Sequence, residues 1–470
     1  MRPSAALLAA ATVCALSLAL LRGNPAGVSR PPGGSEVAFR QVPPLPPHSG
    51  PAAPLDRHGL PARQVPPLRP LPRDFVIRDR QRYEELQVAF QNGQLDWADR
   101  SGEDLPPLMD RLVQGLRQAL NGRTRGARGT FETLSWDARD AGEDGLAGLA
   151  AAAAANLRFE AMDYAGVVAV AGEDANDGLI AALSTLRPQT LAQVGPVSDR
   201  MVVGPRGQAG LEVAVNGRPG IWWFDTGASL SVVSRSAADR WGVRILEDAG
   251  PFRVSTATSL EARARLGEVD RLRVGEVEVG NVPVLVLPDG DLTFELDDGA
   301  TVALEGILGW TVIRSLRTEL DFPGGRYSVR ASRSTPDPDR NLGWLGYPVV
   351  RLADATGQPL LFGVDTGSHN TSITENVLGK SDLGAVRLDT VRIGGVGGAV
   401  EEEASVAEAL TLAFPDVLVT IPEVQTEGTS GADDVLFFRV DGVLGIDVAQ
   451  AGVLVVDPPK GRLELRPPGL

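Results

Sequence analysis

Two short segments of this chain hold the residues best suited to chemistry. One reads Ile221-Trp222-Trp223-Phe224-Asp225-Thr226-Gly227-Ala228-Ser229, the other Leu360-Leu361-Phe362-Gly363-Val364-Asp365-Thr366-Gly367-Ser368. In each, an apolar run of strand character ends on an aspartate, and a glycine two residues later lets the backbone turn and approach a mate closely. The threonine between them can hydrogen-bond across to a second copy of the same loop. Taken singly, Asp-Thr-Gly reads equally well as an ordinary β-turn, because Asp and Gly are common turn residues. Brought together, two such loops would set two carboxyl groups about 3 Å apart, where both do not ionise easily and one proton is shared. The charged member could then act as general base on a water while the neutral member donates to a carbonyl oxygen.

The pairing is not confined to these loops. Gly306-Ile307-Leu308-Gly309 is matched by Gly442-Val443-Leu444-Gly445, and Leu320-Asp321 with Gly324-Gly325-Arg326 by Val456-Asp457 with Lys460-Gly461-Arg462. The copies are separated by 140, 136 and 136 positions and run in one order. Three landmarks at a near-constant offset make an internal duplication.

The scarce residue types exclude the rival chemistries. The one cysteine, Cys14, lies in an apolar N-terminal stretch, so no disulfide framework or zinc–thiolate site is available to the body of the protein. Of the three histidines, His48 and His58 sit in a proline-rich tract, which leaves His369 alone. No multi-histidine metal site follows from that inventory, and the paired-carboxylate chemistry needs neither metal nor cofactor. A net charge of −15 argues against a nucleic-acid partner, whose phosphates need a basic face.

Five stretches follow from the patterning. Residues 1–23 carry Arg2 ahead of an apolar run from Ala5 to Leu21, the pattern of a signal peptide, with an uncleaved N-terminal anchor as the alternative. The residues ahead of Cys14 do not suit lipidation. Either reading places the protein outside the cytoplasm: periplasmic, secreted or tethered to a membrane through its N-terminus. Residues 24–78 are a proline-rich linker containing Arg-Gln-Val-Pro-Pro-Leu at 40–45 and again at 63–68, a stiff spacer or a docking motif for a proline-recognising partner. Residues 79–195 show helical spacing (Tyr83, Leu86 and Phe90; Leu105 to Leu120; an Ala-rich run from Leu146 to Leu157) and read as a small helical region or an inhibitory pro-segment. Asp163-Tyr164-Ala165-Gly166 suggests a single helical-repeat turn, too little for an array. Residues 196–335 and 336–470 are two β-rich lobes. Their short apolar runs are Leu211–Val215, Val274–Val279 and Val282–Leu287, and Asn216-Gly217 marks a hairpin.

The motif pair resembles the pepsin/retropepsin-type aspartic peptidases, in the bacterial form with two retropepsin-like units in one chain. The resemblance covers roughly Met201 to Arg466. It implies a mainly β fold of two pseudo-symmetric acid-protease barrels with a substrate cleft between them, preceded here by the helical region. Ile307-Leu308-Gly309 and Val443-Leu444-Gly445 should thread beside the two active loops. It further implies an aspartic endopeptidase with Asp225 and Asp365 catalytic and Thr226, Gly227, Thr366, Gly367 and Ser368 supporting them. The substrate would be a polypeptide, and the working unit a monomer whose lobes form an intramolecular pseudo-dimer.

Three local departures from the family pattern carry expectations of their own. Ser368 should hydrogen-bond an outer oxygen of Asp365, whereas Ala228 has no hydroxyl to offer Asp225, which favours Asp365 as the charged member. The stretch from Phe252 to Leu272, where a flap would form, contains no tyrosine. His369 reads as a turn residue or as a modulator of the neighbouring pair. Two other functions remain open: a non-catalytic peptide-binding module that keeps the cleft, and lobes that pair between chains.

Overall fold

The computed structural model describes residues 38–41, 107–171, 178–255, 261–295, 301–332, 339–344, 346–395, 398–426 and 440–468. The apolar N-terminal stretch, most of the proline-rich tract, the Tyr83–Phe90 segment and most of the link between the lobes lie outside them.

The two lobes obey one wiring rule. In the first, Ala209–Val215 turns at Asn216-Gly217, both at positive φ, into antiparallel Arg218–Phe224. Arg218–Phe224 lies parallel to Gly306–Leu308, which runs antiparallel to Ser231–Ser234. Ser231–Ser234 in turn lies parallel to Val277–Leu287. Glu261–Val274 then pairs antiparallel with both Val277–Leu287 and Ala209–Val215, closing a six-stranded barrel. The second lobe repeats the circuit step for step with Pro348–Asp354, Pro359–Val364, Gly442–Leu444, Ser372–Ile373, Val417–Thr426 and Gly398–Ala413. Parallel and antiparallel steps fall in the same places, so the fold is mainly β and built from two like barrels. Closure leaves neither barrel a free edge within the circuit.

Side-chain patterning follows the same copy. The opening strands share one order of buried and half-buried positions, because alternate side chains face each barrel's core. An ion pair is also duplicated. Glu305, just ahead of Gly306, meets Arg240 at 2.5 Å and accepts the Ile221 N–H. Asp441, just ahead of Gly442, meets Lys380 at 2.7 Å and accepts the Leu361 N–H. In both lobes a carboxylate thus satisfies the motif strand's backbone while a cation, Arg240 within a helix or Lys380 two residues past one, neutralises it.

A four-stranded sheet joins the lobes. Leu316–Asp321 pairs with Arg326–Ala331, Val453–Asp457 pairs with Arg462–Arg466, and the two hairpins meet antiparallel along Thr318↔Val456 to Asp321↔Val453. The two outer landmarks read from the sequence, Leu320-Asp321 and Val456-Asp457, therefore lie at the ends of two adjacent antiparallel strands, with Leu320 opposite Leu454 and Val456 opposite Thr318.

Strand limits differ from expectation in two places. Val274–Val279 is not one strand: Gly275, at positive φ, and Glu276 turn the chain between two antiparallel strands. Within the proline-rich tract, Ala38–Gln41 is a strand added antiparallel to Val417–Thr426, from Ala38↔Thr420 to Gln41↔Val417.

The helical region is an array after all. Pro107–Leu120, Thr124–Asp140, Asp144–Glu160 and Tyr164–Ala171 are joined by three-residue links whose middle residues, Gly122, Gly142 and Met162, all have positive φ. The same three backbone bonds recur at each link, for example Arg123 N–H to Gln118, Glu143 N–H to Ala138 and Asp163 N–H to Arg158. No helix among the described residues is long and apolar enough to cross a membrane.

This array packs on both lobes. Leu112, Leu116 and Phe131 share one continuous core with Leu342 and Trp344 of the second lobe, while Phe159 and Leu183 join a core containing Leu230 and Phe252 of the first. Trp344 stacks on Trp310 of the first lobe, with ring centroids 5.3 Å apart. At Gly343 a side chain would meet the Leu120 backbone at 2.7–2.8 Å. Gly343→Val should therefore pry helix and strand apart and cost about 1–3 kcal/mol, read as a lowered thermal midpoint. An unchanged midpoint would mean that the array is not held there.

Candidate active site

Each aspartate arrives at the end of a buried strand, and its backbone is fixed by the threaded segment beside it. The Asp225 N–H donates to the Leu308 carbonyl at 3.1 Å and the Asp365 N–H to Leu444 at 3.0 Å. The expected threading of Ile307-Leu308-Gly309 and Val443-Leu444-Gly445 is what the structure has. Gly309 and Gly445 are required by crowding, since a side chain there would come within 2.5 Å of the Leu230 or Asn370 backbone.

The two loops meet through their threonines. The Thr226 N–H donates to Thr366 Oγ1 and the Thr366 N–H to Thr226 Oγ1, both at 3.0 Å. Each hydroxyl then donates onward across the interface, Thr226 to the Val364 carbonyl at 2.8 Å and Thr366 to the Phe224 carbonyl at 3.0 Å. Four reciprocal bonds, all buried, set the lobes in register.

The carboxyl groups are held alike. Asp225 Oδ1 accepts from the Gly227 and Ala228 N–H groups at 2.8 and 3.1 Å, and Asp365 Oδ1 accepts from Gly367 and Ser368 at 2.9 and 3.1 Å. Each glycine also makes room for the opposite carboxyl. A Cβ on Gly227 would lie 2.6 Å from Asp365 Cγ, and one on Gly367 2.6 Å from Asp225 Cγ. The six motif residues read from the sequence, together with Ser368, thus converge at one point between the lobes.

Asp225 and Asp365 are only 1% and 2% exposed. Burial pushes the Asp225 carboxyl well above the usual carboxylate range, the Asp365 charge adds to the rise, and the Gly227 and Ala228 amides oppose it. The arrangement is a buried pair that holds a proton, able to act as acid and base together.

Two expectations at the site change. The Ser368 hydroxyl does not serve Asp365; it donates to the Asn370 carbonyl at 3.0 Å, and the bond to the carboxylate comes from the Ser368 backbone. Ala228 supplies the same backbone bond, so residue type at this position does not separate the two carboxyls. His369 is half-buried and its Nδ1 reaches the Arg206 carbonyl of the first lobe, making it a bridge between lobes. A hairpin does form over the first lobe, with Phe252–Ser255 paired to Glu261–Ala264, and its tip lies outside the described residues.

Sequence reasoning missed Tyr347. Its side chain is 2% exposed, its ring lies 3.1 Å from where a Gly363 Cβ would stand, and its hydroxyl lies 2.8 Å from the corresponding point on Gly227. The signal was Gly363 itself, whose missing side chain in an apolar run leaves room for this ring. Among the described residues no group of three or more His, Cys, Asp or Glu side chains is placed to hold a metal ion. A cavity of about 760 Å³ lies on the interlobe sheet, lined by Asp199, Glu276, Glu319, Asp321, Arg326 and Arg466 among others, and is not part of this site.

Two like barrels meeting at paired Asp-Thr-Gly loops define the acid-protease fold, and the resemblance to the pepsin/retropepsin-type peptidases holds. Residues 211–312, most of the first lobe, match the family model described as aspartyl protease. Similar solved structures include a retropepsin-like aspartic protease from Rickettsia conorii, 18% identical with a TM-score of 0.19, covering 28% of this chain and 84% of its own. Another is basic 7S globulin from soybean, 13% identical with a TM-score of 0.34, covering 59% of this chain and 95% of its own. No curated protein matches the chain. The match over the first lobe and the paired barrels support an aspartic-protease-like function.

The raised Asp225 group makes stability depend on pH. Unfolded, an aspartyl group ionises near pH 4; folded, Asp225 keeps its proton to higher pH, so stability is fully present below that value and falls as pH rises through the folded pKa. Asp225→Asn removes the loss while its Oδ1 keeps both amide bonds. Its thermal midpoint should match the parent's near pH 3.5 and exceed it at pH 7. A midpoint below the parent's at pH 7 would contradict the burial and repulsion argument.

Proposed function

We propose that the chain is an aspartic endopeptidase that hydrolyses peptide bonds of polypeptides bound between its two lobes, outside the cytoplasm. One observation carries the reading: each Asp-Thr-Gly glycine is packed against the carboxyl of the opposite lobe. That contact supports a single dyad formed within one chain, and the covalent tandem makes such pairing cheaper in entropy than pairing between chains. The signal-like N-terminus supports the location.

In this mechanism Asp365, ionised, takes a proton from a water as its oxygen attacks the scissile carbonyl. Asp225, neutral, donates its proton to the carbonyl oxygen, giving a tetrahedral diol. Collapse of the diol returns a proton to Asp225, and the proton on Asp365 passes to the departing amine. The pair ends with one proton, as it began. Protein hydrogen bonds to the Oδ1 atoms hold both carboxyls through the cycle and require no metal.

The alternative, a peptide-binding module without turnover, keeps the same cleft. Turnover of an unstructured polypeptide by the parent, Asp225→Asn, Asp365→Asn and the double variant decides between them. The dyad predicts a loss of at least about 10³-fold in each single variant and little further loss in the double, because the residues act as one unit. Parent activity should also fall on the alkaline side as the shared proton is lost, following the raised Asp225 group. Substantial activity in Asp225→Asn, or none in the parent at any pH, would overturn the reading.

A further inference from the structure

The two carboxyls sit in loops with matching backbone bonds, yet acid–base work needs one charged and one neutral. The difference between their surroundings lies one layer out. In the second lobe Val349 pairs with Gly363, and in the first Gly210 pairs with Trp223, so Tyr347 and Gln208 occupy pseudo-equivalent places two residues earlier. Tyr347 packs its ring over Gly363, in the space that Trp223 fills in the other copy. That lets the hydroxyl reach the point, 2.8 Å away, where a Gly227 Cβ would stand, while Asp365 Oδ1 lies 2.6 Å from the same point. The Gln208 carboxamide is 1% exposed, lies 3.1 Å from where a Gly204 Cβ would stand, and neither its Oε1 nor its Nε2 has a partner among the described residues. The phenol oxygen and Asp365 Oδ1 thus both stand against Gly227, while the Gln208 carboxamide stands against Gly204.

We infer that Tyr347 is a positioning residue that decides which member of the dyad is charged: its phenol donates a hydrogen bond to the Asp365 carboxylate and leaves the shared proton on Asp225. A donor aimed at one carboxylate favours that carboxylate's ionised form. Other charged groups around Asp365 are engaged elsewhere. His369 turns its Nδ1 to the Arg206 carbonyl, Asp447 accepts the Thr371 N–H and hydroxyl, and Asp441 holds Lys380 at the far end of the motif strand. Asp225, its mate, supplies the opposing charge, and the raised Asp225 group agrees with this division.

The inference rests on the proposed dyad, and its test reads the carboxyls directly. Carbon-13 NMR of aspartate side chains would be followed from pH 2 to 9 in the parent, Tyr347→Phe and Tyr327→Phe, with Asp365→Asn assigning the pair. Tyr327 is a buried tyrosine whose hydroxyl donates to the Glu212 carbonyl in another part of the first lobe, so its loss perturbs packing without touching the dyad. In Tyr347→Phe the lower of the pair's two apparent pKa values should rise by about one unit. The acidic limb of kcat should follow it, with KM changed less than about twofold; in Tyr327→Phe the lower pKa should stay in place. A lower pKa unmoved in Tyr347→Phe overturns the inference, as does an equal shift in both variants. A shift confined to Tyr347→Phe in a protein without peptidase activity would retract the peptidase reading and leave the role of Tyr347 standing.

Discussion

Burying two carboxyl groups against each other is the constraint on which the rest of this structure depends. Desolvation and mutual repulsion both disfavour the arrangement, and a single isolated lobe would have no reason to keep it. It persists because the surroundings fix it at many points at once. Two amides serve each Oδ1, four threonine bonds lock the loops across the interface, and a glycine in each loop yields space to the other carboxyl. Remove the glycine and the carboxyls separate; remove the threonine and the lobes lose their register. A site that keeps a proton above the usual carboxylate range is what this geometry leaves behind.

The duplication explains how one chain achieves this. A barrel that delivers one carboxyl on a strand end is copied, and the copies are joined by a shared four-stranded sheet on the twofold axis. Features that serve the backbone survive in both copies, including the exposed Glu305–Arg240 pair and its buried counterpart Asp441–Lys380. Features that serve chemistry have diverged, as at Tyr347 and Gln208. The helical array adds a third contact surface, burying apolar faces of both lobes and continuing the core through Trp344.

Legibility in the sequence followed how narrowly the physics restricts residue type. Asp-Thr-Gly and the Ile/Val-Leu-Gly segments could be read because only those types fit a carboxyl, a bridging hydroxyl and a backbone crossing. The duplicated ion pair could not, since Glu with Arg and Asp with Lys look like ordinary surface charge until the strand they cap is known. The helical repeat was hidden because its links read Asn-Gly-Arg, Ala-Gly-Glu and Ala-Met-Asp, which share a backbone path but no residue common to all three. Val274–Val279 looked like one strand because apolar alternation runs through a turn made by Gly275 and Glu276. Ser368 was assigned its hydrogen bond from side-chain chemistry, whereas its backbone makes that bond and its hydroxyl closes a local turn. Ala38–Gln41 pairs through its backbone, which composition does not reveal.

The central claim is that one chain alone forms one proton-sharing dyad. Calorimetric titration with a peptide mimic carrying a hydroxyl in place of the scissile carbonyl tests it most directly, because such a group is recognised by a neutral and an ionised carboxyl together. The account predicts one mimic bound per chain by a monomer, with affinity falling as pH rises through loss of the shared proton and lost in either Asp225→Asn or Asp365→Asn. One mimic per two chains, or binding unchanged by both substitutions, would contradict it.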